Sequence, residues 1–509
     1  MRSILKYLTG RLLITILLIV AQIVLIVSIF THLWNGSIYI QCILNIISIV
    51  YVLIVFNNDT NPAFKLSWAI LILVFPLGWI LYIVFHRNSF SKKEVLKYSD
   101  CLDLTAPYST KDTATIEAIS KQDTDVAKLF KYVQNTCNMN VFSNTYTKYY
   151  PCGEHFFLDF MEDLKSANKY IFLEYFIISH GTMWNSILNV LKDKVLQGVE
   201  VRLMYDDMGT ISLLNYDYSN RLNSLGIKTV VFNPVRLLPS SSINFRDHRK
   251  ICVIDGSIAY TGGLNLSDEY INVKSRFGYW KDTAIKLQGS GVHSMVLMYL
   301  QLWNYASYDD SHTNISKYFG SPSTTSCGYV QPFYDNPFNQ CLVSKYAYMS
   351  IINQAKEYVY ICTPYLILDN EMITALTIAS KSGVDVRIIT PHVPDKEYVY
   401  MVTRSNYPKL IKAGVRIFEY KEGFIHSKTI VSDDKYAIVG TANFDFRSFY
   451  MHFEDGILMY NTQAVAQLTN DCKEVFSKLS IEVSYNDCIS TPWNVRLLQL
   501  LLNLISPIM

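Results

Sequence analysis

Three apolar runs open the chain: Leu12 to Phe30, Ile38 to Phe56 and Leu66 to Phe85. Each has roughly the twenty residues needed to cross a hydrocarbon core of about 30 Å, so each predicts a membrane-spanning helix. Pro62 and Pro76 lie before and within the third run, where lipid-embedded helices tolerate them. No small-x-small cleavage site follows the first run, which argues against a signal peptide. The pattern then turns polar from Lys93 to about Asn144 and predicts a connector with short helices. From Tyr150 onward, short apolar runs alternate with helical stretches such as Met183 to Gln197 and Asn370 to Ser382. That alternation predicts an α/β architecture with a largely buried sheet. The leucine-rich tail WNVRLLQLLLNLISPIM, Trp493 to Met509, is too short to span comfortably. It reads as an interfacial or docking helix, or equally as a final core helix.

The α/β part repeats itself. Ala167 to Tyr175 matches Ala355 to Thr363, Gly198 to Leu203 matches Gly383 to Ile388, and Leu225-Gly226-Ile227 matches Ala413-Gly414-Val415. The organisation expected is a membrane-anchor region over 1–90, a connector over 91–149, repeated units over 150–327 and 328–485, and a tail over 486–509. A duplicated unit most simply packs about a pseudo-twofold axis.

Composition refines this picture. A chain of 509 residues is too long for one ordinary core. Half the residues are apolar, and the mean hydropathy of +0.15 is high for a soluble protein. A net charge of +2 advertises no basic field for nucleic acid. The ten cysteines include no C-x-x-C pair, which fits free thiols in a reducing compartment and argues against a zinc site. Topology is contested. Arg2, Lys6 and Arg11 precede the first run and Arg87, Lys92 and Lys93 follow the last, so both flanks are expected in the cytoplasm. Three crossings conflict with that, and a cytoplasmic catalytic part is favoured.

Each repeat ends in the same polar signature. His426, Lys428, Asp433, Gly440, Thr441 and Asn443 recur at identical offsets as His248, Lys250, Asp255, Gly262, Gly263 and Asn265. In an extended strand the histidine and the lysine two residues on leave the same face. Imidazole, ammonium and amide on glycine-permitted backbone suit a phosphodiester: the lysine supplies charge, the asparagine a donor, the histidine a nucleophile or proton carrier.

This paired H-x-K-x4-D-x6-G-[GST]-x-N pattern resembles the HKD motif of the phospholipase D superfamily. HRKICVIDGSIAYTGGLNLSDEYIN, FGYWKDTAIKLQG and IHSKTIVSDDKYAIVGTANFDFRSF are similar to bacterial cardiolipin synthases, over most of the chain. The resemblance implies two phospholipase D-like α/β sandwich units about a pseudo-twofold axis, preceded by transmembrane helices, with both histidines meeting one phosphate. It implies catalytic roles for His248, Lys250, Asp255, His426, Lys428 and Asp433, phosphate binding by Asn265 and Asn443, and His248 as nucleophile with His426 as acid/base. The residues by themselves do not separate those two roles. Asp282 and Glu454, placed after the asparagine in each repeat, are expected to orient the histidines, and Asp255 and Asp433 to brace the turn after each H-x-K strand. Arg447 and Ser448 match the family and suit head-group contact or core packing. Two departures stand out: Gly263 replaces a serine or threonine common at that position, and Gln331 to Pro337 replaces an S-G-P-D run.

The expected activity is transfer of a phosphatidyl group between two phosphatidylglycerol molecules, giving cardiolipin and glycerol through a phosphohistidine, with no metal or cofactor. Partners expected are the phospholipid substrate and the bilayer, not nucleic acid, in a multi-pass cell-membrane protein. A hydrolase, a phosphatidylserine synthase-like transferase and a non-catalytic phospholipid-binding scaffold are the alternatives.

Overall fold

A computed structural model of the chain describes residues 38–508, apart from 76, 84–91, 110, 236–243, 308–313, 321–323, 325 and 339–341. The first apolar run, Leu12 to Phe30, lies outside the described residues, and the first expected crossing with it. The second run forms the helix Ile38–Phe56. The third is not continuous. It starts earlier than expected, as Pro62–Val74, and resumes as the short helix Gly78–Tyr82. Phe75 between them is extended, at φ −113° and ψ 112°. The residue before a proline is pushed out of the helical region by the pyrrolidine ring, and Phe75 precedes Pro76. Val55, Trp68, Ile72 and Tyr82 give this helical hairpin a small core of its own. Among the described residues no helix is long and apolar enough to cross a membrane. The described residues therefore give no support to the second and third expected spans.

The connector is more than a linker. Its helix Thr124–Cys137 buries Val126, Phe130 and Val133 in the main core. Gln331 ties that helix down by donating to the carbonyls of Phe130 and Met139, at 3.2 and 2.8 Å.

The duplicated pattern becomes two sheets of one topology. The first unit contributes β1 (Thr145–Tyr150), β2 (Tyr170–Tyr175), β3 (Glu200–Asp206), β4 (Lys228–Phe232), β5 (Lys250–Ile254), β6 (Ile258–Gly262), β7 (Tyr279–Lys281) and β8 (Ala284–Gly289). The second contributes β9 (Tyr329–Asp335), β10 (Tyr358–Cys362), β11 (Asp385–Pro391), β12 (Arg416–Tyr420), β13 (Gly423–Ile425), β14 (Thr429–Ser432), β15 (Tyr436–Gly440), β16 (Glu454–Tyr460) and β17 (Ser480–Glu482). The sheet orders are β1-β8-β6-β5-β2-β3-β4 and β9-β16-β15-β14-β10-β11-β12-β17, identical except for the added edge strand. In both, the strand that carries the motif lysine, or directly follows it, runs antiparallel to the first strand of a parallel trio. The central strands β2, β5, β10 and β14 are buried along their whole length, as expected for a sheet covered on both faces.

The units share one core. Residues of β2, β5, β8, β10, β14, β15 and β16 fall in a single apolar cluster, with the almost wholly buried helix Val292–Ser307 between them. A two-stranded parallel sheet, β7 with β13, joins the halves directly. Its symmetry mate is the parallel bridge between Asp247 and Phe453.

The tail forms the helix Trp493–Ile505, with none of its residues buried. It docks by polar contacts: Asn503 donates to Ser405 at 2.8 Å, Gln499 to the Met401 carbonyl at 3.2 Å, and Ser67 to the Leu504 carbonyl at 2.6 Å. Trp493, Leu497, Leu500 and Leu501 stay exposed. Leu502, partly buried, packs against the small apolar cluster of Phe64, Ile367, Val402 and Phe446, so the helix lies on the surface and is not enclosed by the core.

Candidate active site

The two inter-unit bridges sit one residue before the motif histidines, and they set the site. His248 donates its backbone N–H to the Phe453 carbonyl at 2.9 Å, and His426 to the Lys281 carbonyl at 2.7 Å. The next residues along the partner segments are Glu454 and Asp282. Each carboxylate therefore reaches the histidine of the opposite unit. His248 Nδ1 lies 3.0 and 2.9 Å from the Glu454 oxygens, and His426 Nδ1 lies 2.7 Å from Asp282 Oδ2. Both carboxylates are fully buried. Each pairing fixes a proton on Nδ1 and leaves Nε2 with a free electron pair.

Lys250 and Lys428 turn back within their own strands and donate to the carbonyls of His248 and His426. Both are buried. Each ammonium keeps further N–H donors for an anion. Their fields overlap: Lys250 acts on His426, Lys428 and Asp282 as well as on His248. The two motifs are close enough for the charges of one to act on the groups of the other.

Burial dominates the electrostatics. It pushes both imidazoles well below their usual pKa, and the neighbouring lysines push the same way. Both rings are thus neutral at pH 7. Burial also lowers Lys250 to about 8, against the nearby carboxylates, and Lys428 to about 7, where Asp282 opposes and Lys250 assists. The carboxylates diverge. Burial lifts Asp282 to about 7 despite Lys428 and the Thr283 N–H. Burial would lift Glu454 too, but His248 and His452 hold it well below the usual carboxylate range. The halves match in geometry and differ in where a proton rests.

Asp255 and Asp433, grouped with the catalytic candidates, are at the far ends of their strands. Asp255 accepts from the backbone N–H groups of Asn168, Lys169 and Tyr170 at 2.7 to 2.8 Å. Asp433 accepts from Lys356, Glu357 and Tyr358 at 2.8 to 3.0 Å. Both adopt positive φ, 52° and 54°, in a tight turn. The geometry is that of the expected brace. Asp433→Ala strands three N–H groups, so we expect a loss of about 2 kcal/mol. In a thermal melt that appears as a lower Tm, with specific activity of the folded protein unchanged and Asp433→Asn recovering part of the loss.

The asparagines lie beside the motif but are engaged. Asn265 accepts from the Ile177 N–H at 2.9 Å and donates to the Tyr270 hydroxyl at 2.7 Å. Asn443 donates to Asp445 at 3.1 Å, and its Oδ1 is buried without a partner. The missing hydroxyl at Gly263 has a spatial cause. A Cβ there would stand 2.0 Å from Asp282 Oδ1. The corresponding Thr441 keeps its hydroxyl on the Asp455 backbone, accepting from the N–H at 2.9 Å and donating to the carbonyl at 3.2 Å. Ser448 accepts from the Asn443 N–H at 3.0 Å, a structural contact.

Sequence reasoning missed several neighbours. Phe176 packs on the His248 ring at 5.2 Å, and Trp280 and Tyr270 on the His426 ring at 5.4 and 5.6 Å. Below His248, Arg249 is fully buried and pairs with Glu174 at 2.6 Å. His452 approaches Glu454. The only signal for Arg249 and Glu174 was a charge inside an otherwise apolar strand run.

Comparisons with known proteins agree with this architecture. Residues 160–275 and 348–476 match the family described as "Cardiolipin synthase, PLD-like domain", and residues 43–87 match "Phospholipase_D-nuclease N-terminal". An uncharacterized protein of Streptococcus mutans is 39% identical over 90% of this chain and 99% of its own length. A cardiolipin synthase of Geobacillus thermodenitrificans is 33% identical over 96% of this chain and 99% of its own. That of Alkalihalophilus pseudofirmus is 33% identical over 91% and 92%. Among solved structures, a phosphatidylserine synthase of Haemophilus influenzae shares the fold, with a TM-score of 0.56 at 15% identity, covering 75% of this chain and 97% of that one. With both motifs complete and the likeness running almost end to end, the chain belongs to the cardiolipin synthase family of phospholipase D-like proteins.

Proposed function

We propose that this protein joins two phosphatidylglycerol molecules into cardiolipin and releases glycerol. The observation that carries the reading is the crosswise pair of buried histidine–carboxylate contacts, each beside a lysine.

His248 Nε2 attacks the phosphorus of the first lipid. The bond from phosphorus to the glycerol oxygen breaks, and that oxygen takes a proton from the His426 side. Free glycerol leaves, and the phosphatidyl group stays on His248. The terminal hydroxyl of a second phosphatidylglycerol then gives its proton to His426 and attacks phosphorus, and the bond to His248 breaks. The charge split supports these roles. An ionised Glu454 stabilises the cationic ring of the phosphohistidine. Asp282, titrating near neutrality beside His426, forms with it a dyad able to hold and return one proton. Lys250 and Lys428 neutralise the phosphoryl oxygens as charge builds. Asn265 and Asn443 are proposed to hold the loops that carry the site, with a spare amide hydrogen toward phosphate.

The N-terminal hairpin and the exposed leucines of Trp493–Ile505 are proposed as the membrane-facing side, with the catalytic part in the cytoplasm. Anchoring keeps a second lipid alcohol near the site at high effective concentration, which favours transfer over hydrolysis. Purified protein supplied with phosphatidylglycerol is expected to yield cardiolipin and glycerol by lipid mass spectrometry. Phosphatidic acid as the sole product refutes the transferase assignment.

The lysines also set a pH limit. Both have lowered values, so each loses its charge as pH rises through about 7 for Lys428 and about 8 for Lys250. kcat/KM is expected to fall by roughly tenfold per unit between about pH 7 and 8, and by roughly a hundredfold per unit above that. Lys428→Arg, whose guanidinium stays charged, is expected to extend activity to higher pH at a lower maximum.

A further inference from the structure

His452 touches no reacting atom in the transfer scheme, yet its ring lies 5.5 Å from that of His248. Both of its nitrogens are buried without a hydrogen-bond partner. Nδ1 stands 3.5 Å from Glu454 Oε1, at the limit of a useful hydrogen bond. Glu454 Oε2 meanwhile lies 2.9 Å from His248 Nδ1. One nitrogen from each ring and one carboxylate oxygen all fall within 4.8 Å of one another. Tetrahedral zinc, with bonds of about 2.0 to 2.1 Å, holds its ligands about 3.4 Å apart. Closing the triad therefore needs side-chain movements of little more than about an ångström.

We propose that His248, His452 and Glu454 form a binding site for a zinc-class divalent cation, and that its occupancy switches the enzyme off. Two imidazoles and one carboxylate make the donor set that zinc prefers, with a fourth position left for water. Lys250 and Lys428 oppose any cation here. That opposition excludes ions with little affinity for nitrogen, such as magnesium and calcium, which take oxygen ligands. A His248 ring bound to a dication has lost the basicity that attack at phosphorus needs. The inhibitory half of the proposal rests on His248 as the reacting group, and the binding half does not.

The test uses the full-length protein in detergent micelles, with Co2+ absorption and Zn2+ titration calorimetry read beside cardiolipin formation. The wild type is expected to bind one equivalent with tetrahedral Co2+ bands, to lose turnover with zinc and recover it with chelator, and to ignore magnesium. His452→Gln, and His452→Asn as a second variant with its fold checked by thermal melting, are expected to bind at least tenfold more weakly. Their turnover, normalised to each variant's zinc-free rate, is expected to withstand zinc at the wild type's inhibitory concentration. Equal zinc binding in wild type and variants overturns the site. Histidine-dependent binding without inhibition overturns the switch. A protein that takes up one Co2+ but converts no phosphatidylglycerol leaves the site standing and refutes the proposed function instead.

Discussion

His248→Asn is expected to abolish cardiolipin formation, by about 10⁴-fold or more, because it removes the atom that forms the covalent bond. The same variant is expected to give no labelled protein when radiolabelled phosphatidylglycerol is quenched at short times. His426→Ala is also expected to fail with phosphatidylglycerol, whose glycerol leaving group needs a proton. It is expected to succeed for one turnover with a phosphatidyl p-nitrophenyl ester, whose leaving group departs as the anion. A burst of one p-nitrophenol per active site, followed by arrest, then marks the phosphatidyl group stranded on His248. A burst that survives in His248→Asn and vanishes in His426→Ala exchanges the two roles.

The second large effect tests which carboxylate serves which ring. Glu454→Gln leaves the shape of the site and removes the negative charge beside His248. The imidazole is no longer held in the tautomer that presents a free Nε2, and the cationic intermediate loses its counter-charge. A loss of about 10²- to 10⁴-fold is expected in the p-nitrophenol burst rate. Asp282→Asn is expected to spare that burst and to impair turnover with phosphatidylglycerol, because Asp282 faces His426 at 2.7 Å. Were each carboxylate to serve the histidine of its own repeat, the two variants would exchange phenotypes. The measurement reads the crosswise arrangement in solution.

Much of the fold was legible because it is local or repeated. The alternation of apolar strand runs and helical stretches reappeared as two sheets with the same strand order. The turn after each H-x-K strand was legible for the same reason. An aspartate there can accept the N–H groups that open the neighbouring strand, and both copies do so. Legibility failed where a long-range contact outweighed a local pattern. The polar segment before Tyr150 read as a connector, but one face of the helix Thr124–Cys137 is apolar, and the second unit's sheet gave that face somewhere to bury. The run Leu66 to Phe85 read as one span from its hydrophobicity. The backbone instead leaves the helix at Phe75, where a proline follows. His452 was invisible as chemistry, since nothing in its neighbours predicts that it approaches the His248 partner.

Offsets along the chain sufficed to determine that this protein carries two copies of a phosphodiester-handling motif on two copies of one α/β unit. They did so because spacing within a strand and turn is short-range information. Partnership between the halves is not. His248 and Glu454 are 206 residues apart, and His426 and Asp282 are 144 apart. Only the packing of the units against each other, through the β7–β13 pair and the Asp247–Phe453 bridge, brings each carboxylate to the opposite ring. The same burial that brings them together strips water from the lysines and imidazoles, and so sets their protonation.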